Sequence, residues 1–345
     1  MNTDDTSGAK GMSGTQPAGG MGGAVPLFVM LGVLLALVGG ILLLLIRGAA
    51  GGGANSASAG TTEGSPAAAA YRWRVEKAHE AFVQGEYVHA RGLLEELIAE
   101  RPEEAELRLL MTQVECGLRD FAGAYKHIEA AIAIGPASPE LHFDAGTIAN
   151  SAGLTDRALE HYSMAQQAAP KEPRYPLYLA MIQVKLGQDG PAMASLVRAV
   201  NLAPDLAEAW GTMGELELKG NSLGLALDHL RKAKALQPLV ARWRIGEARV
   251  LKRQGAVEEA AGLLAALDDA DRWRLDVLET LGECFGLLGK PGEAAAQYAR
   301  AAEGRAGSAD EGSLHARAAE WFARAGDEDR AAKHRRRARD LGEGS

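Results

Sequence analysis

The residues with the most chemical potential are one serine, eight histidines and two cysteines. Ser222 sits in Gly220-Asn221-Ser222-Leu223-Gly224, the Gly-x-Ser-x-Gly string of a nucleophile elbow, which would make it an acyl-transfer nucleophile. That chemistry needs a strand before the serine and a helix after it. The surrounding stretch Ala207–Ala233 instead reads as two short amphipathic helices joined by a polar turn, so the string is expected to be that turn. The histidines fall in no His-Glu-x-x-His or comparable ligand spacing and read as surface or groove residues. His142 and Asp144 are close in sequence, yet a helix points them to different sides. Cys116 and Cys284 form no metal motif and lie too far apart to bridge, so both read as small apolar helix residues. Gly19–Gly23 suggests a phosphate loop, but no Gly-Lys-Ser/Thr follows it. No paired carboxylates recur in a cleft-like context. The expectation is a protein that is not an enzyme and uses no cofactor or metal.

Charge narrows the class of partner. The formal net charge is −8, which argues against nucleic acid as the main partner. The densest basic run is Lys333-His334-Arg335-Arg336-Arg337 with Arg339. It would suit an anionic lipid surface or nucleic acid, or simply a solvated outer face on a last, capping helix.

What must position such residues is a helical repeat. Alanine and leucine, with glutamate and arginine, dominate a chain whose aromatic content is 5%, and few segments alternate as strands do. From Tyr71 a 34-residue period holds. Place 8 of each unit is small: Ala78, Thr112, Gly146, Ala180, Gly214, Ala248, Gly282. Place 20 is alanine in all seven units, and place 24 is bulky: Leu94, Ile128, Tyr162, Leu196, Leu230, Leu264, Tyr298. Proline closes the first five units, at Pro102, Pro136, Pro170, Pro204 and Pro238, while Arg272 stands at that place in the sixth. Small residues let the two helices of a unit approach, the bulky one fills the space beside them, and proline ends the second helix. Each unit carries an apolar face it cannot bury alone, so neighbours must stack.

This pattern resembles the tetratricopeptide repeat (TPR) family, most closely at Trp210, Met213-Gly214, Ala226, Leu230, Ala233 and Pro238. The resemblance implies an all-α, right-handed superhelical solenoid of about eight helix-turn-helix units beginning at 71, 105, 139, 173, 207, 241, 275 and 312, spanning 71–342. The eighth is offset by three residues, with helices expected near Ser313–Arg324 and Asp327–Leu341. It further implies that the first helix of each unit lines a concave groove for protein or peptide partners. In the sixth unit the groove places hold Arg242, Ile245, Arg249, Lys252 and Arg253, flanked by Glu208 and Glu215 on one side and Asp276, Glu279 and Glu283 on the other. Two outcomes stay open there: an electrostatic slot for an acidic segment, or salt bridges between adjacent first helices. Earlier units present a mixed lining that includes His79, Phe82, Gln113, Phe143 and Asn150, suited to an extended or helical peptide. The carboxylate clamp of some family members is not matched, because its places hold Val75, His79, Leu110, Glu140 and Asp144.

The N-terminal residues are of another kind. Residues 1–24 are polar and glycine-rich and read as a disordered tail. Val25–Ile46 is 22 residues without a charge, roughly 33 Å as a helix, and reads as one transmembrane helix placing the chain in a membrane of bacterial inner-membrane type. A cleavable signal is the alternative, with Ala57-Ser58-Ala59 as its processing site. Gly32, Ala36 and Gly40 have the spacing for self-association of such helices. Arg47 at the edge of the span tips the array slightly towards the cytoplasm over the periplasm. Residues 47–70 read as a flexible linker reaching about 26 Å. Together these features imply a membrane-anchored scaffold that assembles or recruits partner proteins, or alternatively a chaperone-like factor holding clients for envelope assembly.

Overall fold

The computed structural model describes residues 66–342, and every regular element within them is an α-helix. There are 17: α1 Pro66–Val83, α2 Tyr87–Glu100, α3 Ala105–Gly117, α4 Phe121–Ile134, α5 Pro139–Ser151, α6 Thr155–Ala168, α7 Arg174–Lys185, α8 Asp189–Leu202 and α9 Ala207–Lys219. They continue with α10 Leu223–Leu236, α11 Ala241–Gln254, α12 Val257–Ala265, α13 Asp269–Arg272, α14 Leu275–Leu287, α15 Pro291–Gly304, α16 Glu311–Arg324 and α17 Glu328–Gly342. Among the described residues no helix is long and apolar enough to cross a membrane. The apolar run Val25–Ile46, the tail 1–24 and residues 47–65 of the linker lie outside the described residues.

The 34-residue register is visible in every pair. Each first helix packs on the second helix of its unit, which packs on the first helix of the next unit, and α9 also touches α11 as α11 touches α14. The turn inside each unit puts one residue in the left-handed region at the same place: Gly85, Arg119, Gly153, Gly187, Asn221, Gly255 and Gly289, then Gly326 after the three-residue offset. Arg119 and Asn221 hold φ 62° and 61° without glycine's freedom.

Close approach within a unit depends on the small place 8 meeting the bulky place 24. A Cβ added to Gly146 would lie 2.8 Å from the Tyr162 ring, and one added to Gly282 would lie 2.7 Å from the Tyr298 ring. Where place 8 is alanine, at Ala78, Ala180 and Ala248, place 24 is leucine instead, at Leu94, Leu196 and Leu264, all fully buried. In these five units the two places trade volume, which keeps the packing dense; Gly214 departs from the exchange, since it faces Leu230 rather than a ring and an added Cβ would still lie 2.7 Å from that leucine.

Three boundaries differ from the sequence expectation. The first helix begins at Pro66 rather than Tyr71, because Pro66 fits a first helical turn and Ala67–Ala70 are the best helix formers. In the sixth unit α12 has only 9 residues, against 14 in α10. There Asp268 accepts from the Asp271 N–H at 3.0 Å and starts the separate turn α13, so the unit closes without proline. Leu267 still reaches the core although it lies beyond α12. Finally, α16 starts two residues before the expected Ser313 and ends at Arg324 as expected, and α17 is displaced by one residue, to Glu328–Gly342. The three inserted residues before α16 are held by Glu311, whose buried carboxylate accepts the Gly307 N–H at 2.6 Å and the Arg337 guanidinium at 2.9 Å. These contacts hold the Glu311 carboxyl below its ordinary range, the Gly307 N–H contributing most.

Candidate partner-binding groove

The first helices α9, α11 and α14 form the wall of a cavity of about 660 Å³. Arg242, Arg249, Lys252 and Arg253 all line it, as the repeat places required. α11 carries them on one side because Ile245, Ala248, Val250 and Leu251 of the same helix are buried against α10, α12 and α14.

None of the four points into empty solvent unpartnered. The Arg242 Nε donates to Glu215 at 2.7 Å and a second nitrogen donates to the other carboxylate oxygen, a two-pronged bond between α11 and α9. Arg249 lies 3.6 Å from Asp276, and Lys252 pairs with Glu283, joining α11 to α14. Arg253 donates to the Leu218 carbonyl at 2.7 Å and, among the described residues, meets no carboxylate. Of the two outcomes left open by the sequence, salt bridging between adjacent first helices is the one observed. It does not neutralise the wall: Lys219 and Arg274 join the four, giving six cationic side chains against Glu215, Asp276, Glu279 and Glu283. Lys219 is drawn towards Asp189 at 2.6 Å and Arg317 takes Glu279 at 3.0 Å, so charge is passed from unit to unit along the groove. These pairs are solvent-accessible, and each contributes little to stability.

The earlier groove residues are placed differently from expectation. His79 is exposed on α1, and Asn150 accepts from Lys185 of the next unit at 3.0 Å. Phe82, Gln113 and Phe143 are buried and so are corrected from groove lining to interior. Phe143 packs on the rings of Tyr162, Tyr175 and Tyr178, the last edge-on at 4.9 Å, with Arg174 above it. The reason is the aromatic place 24 at Tyr162, which draws the neighbouring apolar ring inward. What this region offers in exchange is Asp144. Burial, opposed by Arg174 and reinforced by Glu140, pushes its carboxyl up to about 7. Burial, with Asp144 and Glu115 adding to it, also pushes the Cys116 thiol up to about 12, which keeps that cysteine protonated and inert.

Ser222 stands at the start of α10 between two helices with no strand before it, so the elbow reading fails. The histidine reading needs correction as well. His161 and His315 are buried, and each meets a second histidine nineteen residues away on the partner helix of its unit, His142 and His334 respectively. The repeat carried the signal, since places 4 and 23 face one another, but a search for ligand spacings within one helix misses it. Among the described residues no group of three or more histidine, cysteine or acidic side chains is placed to hold a metal ion. On α17, Arg335 and Arg337 of the basic run pair with Glu328 and Glu311, and Arg330 just before the run pairs with Asp327.

No protein-family model matches the chain, and no curated protein matches it in sequence. Solved structures do match in shape. A tetratricopeptide repeat protein from Parabacteroides merdae aligns over 69% of this chain and 93% of its own at 20% identity, with a TM-score of 0.55. The C-terminal part of a TPR repeat-containing protein from Cytophaga hutchinsonii aligns over 71% of this chain and 98% of its own at 13% identity, with a TM-score of 0.53. The Cut9–Hcn1 hetero-tetramer of the APC/C aligns over 79% of this chain and 53% of its own, at 13% identity and a TM-score of 0.52. At these identities the likeness is one of architecture: the described residues have the fold of tetratricopeptide repeat solenoids.

Proposed function

We propose that this chain is a membrane-tethered interaction scaffold that takes an acidic segment of a partner protein along α9, α11 and α14. The observation that carries the reading is the cavity of about 660 Å³ whose wall holds two more cationic than anionic side chains, in a protein of net charge −8. A carboxylate entering it exchanges with Asp276 at Arg249 and adds to Arg253, whose present partner is only a carbonyl. Such charge-assisted bonds give register and on-rate more than bulk affinity. The Cut9–Hcn1 structure is of a solenoid inside a hetero-tetramer, which fits a scaffold role here.

The tether is the uncharged run Val25–Ile46, and the array then sits at a bacterial-type inner membrane, on the cytoplasmic side by the single charge of Arg47. Crosslinking in intact membranes, followed by mass spectrometry, tests both parts at once. One stoichiometric partner, crosslinked to the groove and lost in Arg249→Glu/Arg253→Glu, is the expected result. Unchanged capture by that variant sinks the groove assignment. A broad set of unfolded clients would instead support a chaperone-like holdase, and extraction of the chain by alkaline carbonate would remove the tether.

A further inference from the structure

Four of the eight units carry histidine at place 23: His127, His161, His229 and His334. In two of those units place 4 of the first helix is also histidine, and the two rings meet in the same way. His142 on α5 and His161 on α6 bring their Nδ1 atoms to 3.2 Å, and His315 on α16 and His334 on α17 bring theirs to 2.9 Å. The other two units place an arginine or a tryptophan opposite the histidine instead, Arg108 at 3.5 Å from His127 and Trp210 against the His229 ring.

Behind each histidine pair stands a carboxylate on the far ring nitrogen. Glu129 lies 3.0 Å from His161 Nε2, with the Tyr125 hydroxyl 3.3 Å from the same nitrogen. Glu311 lies 3.6 Å from His315 Nε2. A carboxylate at Nε2 fixes the proton there and leaves the Nδ1 lone pair aimed at the second ring. This is the arrangement by which an outer carboxylate orients a metal-ligating imidazole. The rings are also braced, Tyr125 edge-on to His161 and Phe322 stacked on His334.

We propose that His142 and His161 form a chelating site for a divalent late transition-metal ion such as Zn²⁺, and that His315 and His334 form a second, weaker copy. With Zn–N bonds of about 2.0–2.1 Å, Nδ1 atoms 3.2 Å apart subtend roughly 105° at the metal and those 2.9 Å apart roughly 90°, both within the range of adjacent ligand positions. Two imidazoles suit Zn²⁺, Ni²⁺ and Cu²⁺, and the remaining positions fall to water. His142 is half-buried, so solvent and ion reach the first pair from its side. The second pair is weaker because Glu311 is shared with Arg337 and the Gly307 N–H, which spreads its charge away from His315. A bound ion would clip the two helices of one unit together across the turn. For the second pair the clipped helices are α16 and α17.

The test is calorimetric titration of the untagged full chain with Zn²⁺ alone, and separately Ni²⁺ alone, alongside thermal unfolding with and without the ion. Two sites of unequal affinity are expected, together with a rise in Tm on saturation. His142→Gln removes the tighter site and its share of the Tm rise, and His334→Gln removes the weaker. Glu129→Gln weakens the tighter site about tenfold by releasing the His161 tautomer. His89→Gln, on an exposed histidine of α2, leaves both sites and the Tm rise as in the parent. His142→Gln is preferred to a change at buried His161 because it leaves the core ring in place; circular dichroism unchanged from the parent confirms the fold. Absence of saturable binding, or binding lost in His89→Gln but kept in His142→Gln, would show that the pairs are imidazole hydrogen bonds only.

Discussion

Replacing Gly146 with alanine tests the volume exchange that spaces the helices. The new Cβ would sit 2.8 Å from Cδ1 and Cε1 of Tyr162 and must gain roughly 0.6–1 Å to reach ordinary contact. The ring cannot easily yield, being fully buried between Phe143 and Tyr178 and tied by its hydroxyl to Thr147 at 3.1 Å. Overpacking of this kind costs about 1–3 kcal/mol, and alanine returns about 1 kcal/mol of helix propensity, so Gly146→Ala should lose up to about 2 kcal/mol. Tyr162→Leu alone removes the ring and the Thr147 bond, at about 2–3 kcal/mol. Combined, the pair recreates the Ala–Leu arrangement of Ala78–Leu94 and Ala180–Leu196, so the double variant should be no less stable than Tyr162→Leu. Urea denaturation read by circular dichroism, with amide exchange of α5 and α6 to localise the change, measures the cycle. Losses that add to within about 0.5 kcal/mol would refute the argument, because uncoupled residues behave that way.

Two further outcomes follow from single residues. Arg119 adopts φ 62° in a turn where six other units use glycine, so Arg119→Gly should raise stability by up to about 1 kcal/mol in the same denaturation assay; a loss would mean its side chain has a role that outweighs backbone strain. Asp144 has a carboxyl raised by burial to about 7 from 3.8. A raised carboxyl ionises in the unfolded chain first, so its effect is absent below pH 4, grows as pH rises to about 7, and then levels off, at up to about 4 kcal/mol. Asp144→Asn should therefore be more stable than the parent at pH 8 and equal to it near pH 4; parallel stability curves across that range would overturn the assignment.

How far the sequence reaches is clearest from the groove itself. Arg242, Arg249, Lys252 and Arg253 were legible as one wall because a fixed 34-residue period assigns faces before any coordinate is known. Phe82, Gln113 and Phe143 were not, since the period gives a face and not a depth; how far each sinks depends on the volume of its neighbours, as Tyr162 shows for Phe143. The early end of α12 was likewise hidden. Arg272 in place of proline marked the sixth unit as different, but only the competition between Asp268 as a cap and continuation of the helix decided where it stops.

The sequence by itself determined that the chain is a repeat of helix pairs, that their small and bulky places must meet, and that Gly-x-Ser-x-Gly is a turn. These rest on local periodicity, which is written residue by residue. Tertiary structure decided which charges pair across units and which histidines face one another. Arg242 finds Glu215 at a separation of 27 residues, and His142 finds His161 at 19. Such meetings are set by the distance and rotation between helices, quantities that emerge only when every unit is packed on its neighbours.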